Sequence, residues 1–166
     1  MLKKSKKEEI IKDLSKSIKE TPSVVFVNFH GMKVSDETVL RRGLRDQGVA
    51  YKVSRKTLLK RVLDGIASGT LPELSGEVAI AYLSAGEASS KDVIAPAREI
   101  FNFQKAHKGM LSILGGIFEG AFVDSARMTE IATIPTREVL LSKIAFLLKS
   151  PMQRLAIALN QVTLKK

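Results

Sequence analysis

This chain of 166 residues has no cysteine and no tryptophan, only two histidines, and 5% aromatic residues. The absence of cysteine excludes disulfide staples, thiolate zinc knuckles and thiol nucleophiles. His30 and His107 each stand alone, so no metal centre and no catalytic triad suggests itself. Few aromatics argue against a single-strand reader that relies on base stacking. No window supplies the roughly 20 apolar residues of a membrane helix. The opening MLKKSKKEEIIKDLSKSIKE alternates charge without an apolar core, so it does not read as a signal peptide. A G-x-x-x-x-G-K-[ST] loop is missing, and Gly115-Gly116 lacks the dinucleotide pattern. The expectation is a soluble cytoplasmic protein with no catalytic constellation, cofactor, metal or membrane partner.

Positive charge is abundant. The net charge is +10 and the pI near 9.9. Residues 1–61 hold 16 basic against 7 acidic side chains, and residues 62–166 hold 11 against 10. Charge serving solubility alone would be dispersed, whereas a lopsided basic end suits a polyanion.

The excess centres on Ser35 to Arg61, which reads as helix, short strand, helix. Val39, Leu40 and Leu44 recur at helical spacing in the first helix, with Arg41, Arg42 and Arg45 turned elsewhere. Ser35 reads as its cap, with Asp36 and Glu37 in its first turn. Leu58, Leu59, Val62 and Leu63 form the apolar side of the second helix, flanked by Arg55, Lys56, Lys60 and Arg61. Between them Tyr51 and Val53 alternate with Lys52 and Ser54, as in a half-buried strand. The reading leaves these charges pointing outward together, with few acidic residues at i+3 or i+4. That favours phosphate contacts over a merely solvated face. Lys3, Lys4 and Lys7 at the start, and Lys33 in the turn, extend the set. His30, beside Gly31, reads equally as a donor to RNA or as a turn residue. Tyr51, Phe26 and Phe29 read as core, so structured RNA recognised by shape fits best.

Along the chain, residues 8–19 form an amphipathic helix burying Ile10, Ile11, Leu14 and Ile18. Residues 23–29 read as a central strand, with further strands at 77–83 and 111–118. Gly115-Gly116 suggests a bulge or close backbone approach. Helices are expected at about 90–108, broken by Pro96, and at 125–132. The alternation implies a layered α/β (α+β) domain, with a mixed sheet and helices packed on it.

Ile134-Pro135 reads as a boundary, dividing a globular part, 1–134, from a helical tail, 135–166. Thr136 caps the tail, and Ser150-Pro151-Met152-Gln153 resembles a fresh capping box, so a kink or break is expected at Pro151. Leu141, Ile144, Leu148, Leu155, Ala158 and Val162 keep a heptad-like stripe, broadened by Leu140, Leu147, Ile157 and Leu159. Such a tail could fold back, but its apolar residues cover more than one face, which favours docking to a partner.

Taken together, His30-Gly31-Met32-Lys33-Val34, Leu40-Arg41-Arg42 to Leu44-Arg45, Tyr51-Lys52-Val53 and Lys56-Thr57-Leu58-Leu59-Lys60-Arg61 resemble the bacterial large ribosomal subunit protein ten family, the stalk anchors. Ile134-Pro135-Thr136-Arg137-Glu138 is similar to that family's junction into its terminal helix. The resemblance spans essentially the whole chain, although Lys56 replaces the family's usual Asn. It implies an N-terminal domain bound to 23S ribosomal RNA at the stalk base, beside ribosomal protein eleven. It also implies a terminal helix carrying dimers of the acidic stalk protein seven/twelve, which recruit translation factors, and repression of translation through the protein's own mRNA leader. Two other readings stay open. One is a nucleotide-acting enzyme using the helix start at Ser54 to Thr57; the other is a general nucleic-acid-binding protein.

Overall fold

Val24 to Val27 is a run of β-branched and aromatic residues without a polar position, so it belongs in a strand covered on both faces. In the computed structural model, which describes residues 4–63, 66, 72–83, 92–107 and 109–164, it is that strand. β1 (Ser23–Asn28) lies third in a five-stranded sheet of order β2-β3-β1-β4-β5. The others are β2 (Val49–Val53), β3 (Val78–Leu83), β4 (Ser112–Phe118) and β5 (Ala121–Asp124). Every pairing is antiparallel, so the expected layering holds but the sheet is not mixed in polarity.

Alternation along β1 divides the core in two. Val24 and Phe26, with Val78, Ile80 and Ile117, pack against α1 (Lys4–Lys19) through Leu14 and Ile18, and against α3 (Lys56–Leu63) through Leu59, Val62 and Leu63. Val25 and Val27, with Val49, Ala81, Leu83 and Ile113, meet the second set of helices. These are α2 (Val34–Asp46) with Leu40 and Leu44, α4 (Ala95–Ala106) with Ala97 and Ile100, and α5 (Ser125–Ala132) with Met128 and Ala132. Val39, expected in the apolar stripe of α2, is exposed.

Ile113 and Ile117 are four residues apart on one strand, which alone would put them on the same face. Yet they enter opposite cores. The cause is a bulge: Phe26 pairs with Gly115 and Val27 with Ile113, leaving Leu114 as the extra residue. Gly115 takes φ +140°, and a Cβ there would stand 2.7 Å from the Val123 carbonyl oxygen. A Cβ on Gly116 would collide with the Val24 carbonyl oxygen and Met128 Cε. The glycine pair thus serves as both bulge and close approach.

Several local readings need correction. α2 starts at Val34 behind Lys33, without a side-chain cap; the Ser35 hydroxyl contacts Asp36 instead. α4 starts at Ala95, so Pro96 occupies its first turn, where a missing N–H costs nothing, and does not break a longer helix; residues 90 and 91 lie outside the described set. β5 is an additional strand. Glu119 (φ 52°) and Gly120 (φ 80°) both take positive φ between the paired Phe118 and Ala121, as a type I′ hairpin requires. Glutamate rarely marks such a turn, so the sequence carries little sign of it.

The chain divides into two compact units, Met1–Ile134 and Pro135–Lys166. The second is a single helix, α6 (Arg137–Leu164), opened by the Thr136 hydroxyl accepting from the Val139 N–H at 3.4 Å. Pro151 lies inside this one helix, so Ser150 does not cap a new segment and the helix is not broken into two. Among the described residues no helix is long and apolar enough to cross a membrane.

Gly116→Ala is expected to destabilise the fold by about 1–3 kcal/mol, because the strand backbone beside it has nowhere to move. Urea midpoints of the two proteins check this; equal midpoints would show that the close approach is not rigid.

Candidate nucleic-acid interface

β2 is an edge strand, and the helices before and after it lie on opposite faces of the sheet. The cations of 41–61 therefore do not share one flat face. They border one edge from both sides: Arg41, Arg42 and Arg45 on α2, Lys60 and Arg61 on α3, with Lys52 opposite Ile80 and so turned toward the α3 side. Lys7 lies on α1, on that same side of the sheet. Lys3 is outside the described residues, and the side chain of Lys4 is likewise not described.

A second grouping forms at one end of the sheet. Asn28 at the end of β1 pairs with Val78 and Ser112, while Val53 at the end of β2 pairs with Ala79. Antiparallel register thus brings the β1–α2 turn, with His30, Gly31 and Lys33, to the same end as the β2–α3 turn, with Arg55 and Lys56. The Asn28 side chain ties this end together. Its Oδ1 accepts from the His30 N–H at 3.0 Å, and its amide lies where a Cβ on Gly76 would be. Gly31 and Gly76 take φ +82° and +67°, so both turns need glycine. The exposed His30 ring places Nδ1 4.0 Å from Glu77 Oε2.

The cations are not equivalent. Arg41 Nη2 lies 2.6 Å from Glu37 Oε1, one helical turn earlier, and Nε donates to the same oxygen at 3.0 Å. Nη1 donates to the Tyr51 carbonyl oxygen at 3.5 Å, and the guanidinium sits 4.9 Å from the Tyr51 ring centroid. Arg41 is thus held by Glu37 and by the edge strand, an intrahelical pair that sequence reasoning discounted. Among the described residues, Lys33, Arg42, Arg45, Lys52, Arg55, Lys56, Lys60 and Arg61 make no ion pair. Concentrated, uncompensated cations of this kind favour an anionic polymer, whose counterions are released on contact.

Residues 2–105 match the family described as Ribosomal protein L10, and residues 134–166 match the Ribosomal protein uL10 C-terminal region. The large ribosomal subunit proteins uL10 of Bacillus cereus (strain B4264) and Bacillus anthracis (strain CDC 684 / NRRL 3495) are similar throughout. Each is 34% identical over 161 residues, covering 96% of this chain and 93% of the relative.

The chain belongs to the ribosomal protein uL10 family.

As a uL10 protein it is a structural constituent of the large ribosomal subunit in the bacterial cytoplasm, and it is not an enzyme. The helix start at Ser54 to Thr57 accordingly has no catalytic part to play. In the second unit, Leu141, Ile144, Leu148 and Leu155 are exposed, with Met152 exposed beside them, and Val139, Phe146 and Leu147 are exposed on other sides of α6. The side chains of Ala158, Leu159 and Val162 lie outside the described set. Residues that sequence reasoning missed are Asn28, Gly76 and Glu77, whose importance comes only from strand register.

Burial, and secondarily the nearby Glu37 carboxylate, raise the Tyr51 phenol from its ordinary 10.0 to about 12, with Arg41 pulling the other way. The phenol therefore keeps its proton in the folded chain after the unfolded chain has lost it. Stability tied to Tyr51 is intact below pH 10 and declines as pH rises from 10 to 12. Among the described residues the Tyr51 hydroxyl is also buried without a hydrogen-bond partner. Tyr51→Phe is expected to match or exceed the parent in urea midpoint at neutral pH and to lose less between pH 10 and 12. Parallel declines in the two proteins would refute the assignment.

Proposed function

We propose that the α2–β2–α3 edge and the adjoining sheet end bind 23S ribosomal RNA at the stalk base, beside ribosomal protein eleven. The observation that carries this reading is the uncompensated positive charge of Lys33, Arg42, Arg45, Lys52, Arg55, Lys56, Lys60 and Arg61 around one sheet edge and end. Arg41 contributes mainly by holding β2 against α2, since its guanidinium already meets a carboxylate and a carbonyl. His30 and Gly31 shape the turn that presents Lys33. The same surface, offered a leader of similar shape on the protein's own mRNA, would repress its translation.

α6 is the docking stem for dimers of the acidic stalk protein seven/twelve. Its 28 residues extend about 42 Å. Apolar residues distributed around an exposed helix are costly in water and favour coverage by partner helices; each Leu or Ile so buried contributes about 1.5–3 kcal/mol. The sequence-derived stripe of Leu141, Ile144, Leu148 and Leu155, continued by Ala158, Leu159 and Val162, is the side assigned to those partners.

Replacing Arg42, Lys56 and Arg61 together with Gln is expected to flatten the log–log salt dependence of rRNA binding by about two units, if each loses one phosphate. An unchanged slope removes all three from the interface. Competition by duplex DNA at physiological salt distinguishes ribosomal RNA binding from general nucleic-acid binding, since only the latter loses the RNA. For the stem, Leu148→Asp with Leu155→Asp is expected to abolish co-elution of the acidic stalk protein while RNA affinity stays unchanged. Loss of both together would make the stem part of the RNA-binding fold.

A further inference from the structure

The sheet end that gathers the two basic turns also holds an open cleft of about 460 Å³, lined by Phe29, Val53, Ser54, Arg55, Lys56, Gly76, Glu77 and Val78. Its walls are bonded to one another. The Phe29 N–H donates to the Glu77 carbonyl at 3.3 Å, and the Ser54 N–H donates to the Val78 carbonyl at 3.4 Å. Phe29 is half-buried, its inner part packed on the core, while Val53 is exposed. The cleft is therefore preformed, and its lining combines the apolar Phe29 and Val53 with two cations, Arg55 and Lys56.

This chemistry discriminates between the parts of an RNA. A phosphate is repelled by the Glu77 carboxylate and gains nothing from Phe29 or Val53. A base gains from both: an aromatic ring offers a stacking face, and a carboxylate accepts a hydrogen bond from an exocyclic amino group. Arg55 and Lys56 are then left for the flanking phosphate. A base inside a helix is already stacked and cannot enter, so the occupant must be unpaired. Uracil, which has no amino group, fits least well.

We propose that this cleft takes a single unpaired nucleotide of the bound RNA, its base against Phe29 and Val53 and its phosphate on Arg55 and Lys56. The inference rests on the RNA reading above and adds a nucleotide-specific contact to recognition otherwise based on shape and charge.

The test uses the full chain and the stalk-base fragment of 23S rRNA, with affinity measured across a salt series. Phe29→Leu keeps an apolar side chain but loses the ring face, and is expected to bind about tenfold more weakly at an unchanged salt slope. Phe29→Tyr should stay within about twofold of the parent. Arg55→Gln with Lys56→Gln should flatten the slope by about one to one and a half units. If Phe29→Leu binds like the parent while the double variant still flattens the slope, the nucleotide pocket is wrong and the RNA surface stands. If neither variant changes binding, this end of the sheet does not meet RNA and both readings fall here.

Ultraviolet crosslinking of native large subunits, read by mass spectrometry, needs no variant to fold. An unpaired nucleotide joined to Phe29 or its cleft neighbours is the expected product. A base-paired nucleotide at that position, or crosslinks confined to other parts of the domain, would overturn the proposal.

Discussion

Burial of β1 on both faces is the constraint on which the rest of the domain depends. Its five residues from Ser23 to Val27 have almost no contact with water, so each neighbouring strand must supply matching apolar residues and each face must be roofed by helices. β3 and β4 pair with it directly, and the one-residue bulge opposite Phe26 lets β4 feed both cores. Gly115 and Gly116 make that bulge possible, because Val123, Val24 and Met128 approach where side chains would otherwise stand. With β1 fixed in register, the positions of the turns at its far end follow.

That placement governs the charge. α2 and α3 are nearly adjacent in sequence, yet their apolar stripes serve different cores, so their cations approach the β2 edge from opposite sides. The result is a basic border that flanks one sheet edge from both sides and is not a single flat face. Arg41 closes this border structurally. It bridges Glu37 on its own helix to the Tyr51 carbonyl on the edge strand, where the backbone would otherwise present an open acceptor. The domain thus spends one cation on its own cohesion and leaves its neighbours uncompensated.

Much of this was legible in the residues. The β-branched run at 24–27, the helical spacing of Leu40 with Leu44, and that of Leu59 with Val62 and Leu63 each announce their elements, because burial demands those periods. Thr136 at a helix start and the bulge at Gly115-Gly116 were legible for the same kind of reason: a local chemical need has a local signature. Glu119-Gly120 hid the last hairpin because a glutamate at positive φ has no such signature. At Pro151 the expectation is a kink or a break, and of these the break does not occur. A proline inside a helix costs about 3 kcal/mol, yet Arg137–Leu164 remains one helix.

By itself, the amino-acid order determined that this protein carries a basic stretch over its first 61 residues, a layered α/β core and an apolar helical tail, since composition and periodicity are properties of neighbours along the chain. Tertiary structure alone decided which charges stand together. The pairing of Asn28 with Val78 and Ser112, and of Val53 with Ala79, joins turns separated by dozens of residues, and no local pattern encodes a register between distant strands. The same register made a cleft from Phe29, Arg55 and Glu77, residues that have nothing in common until the sheet has formed.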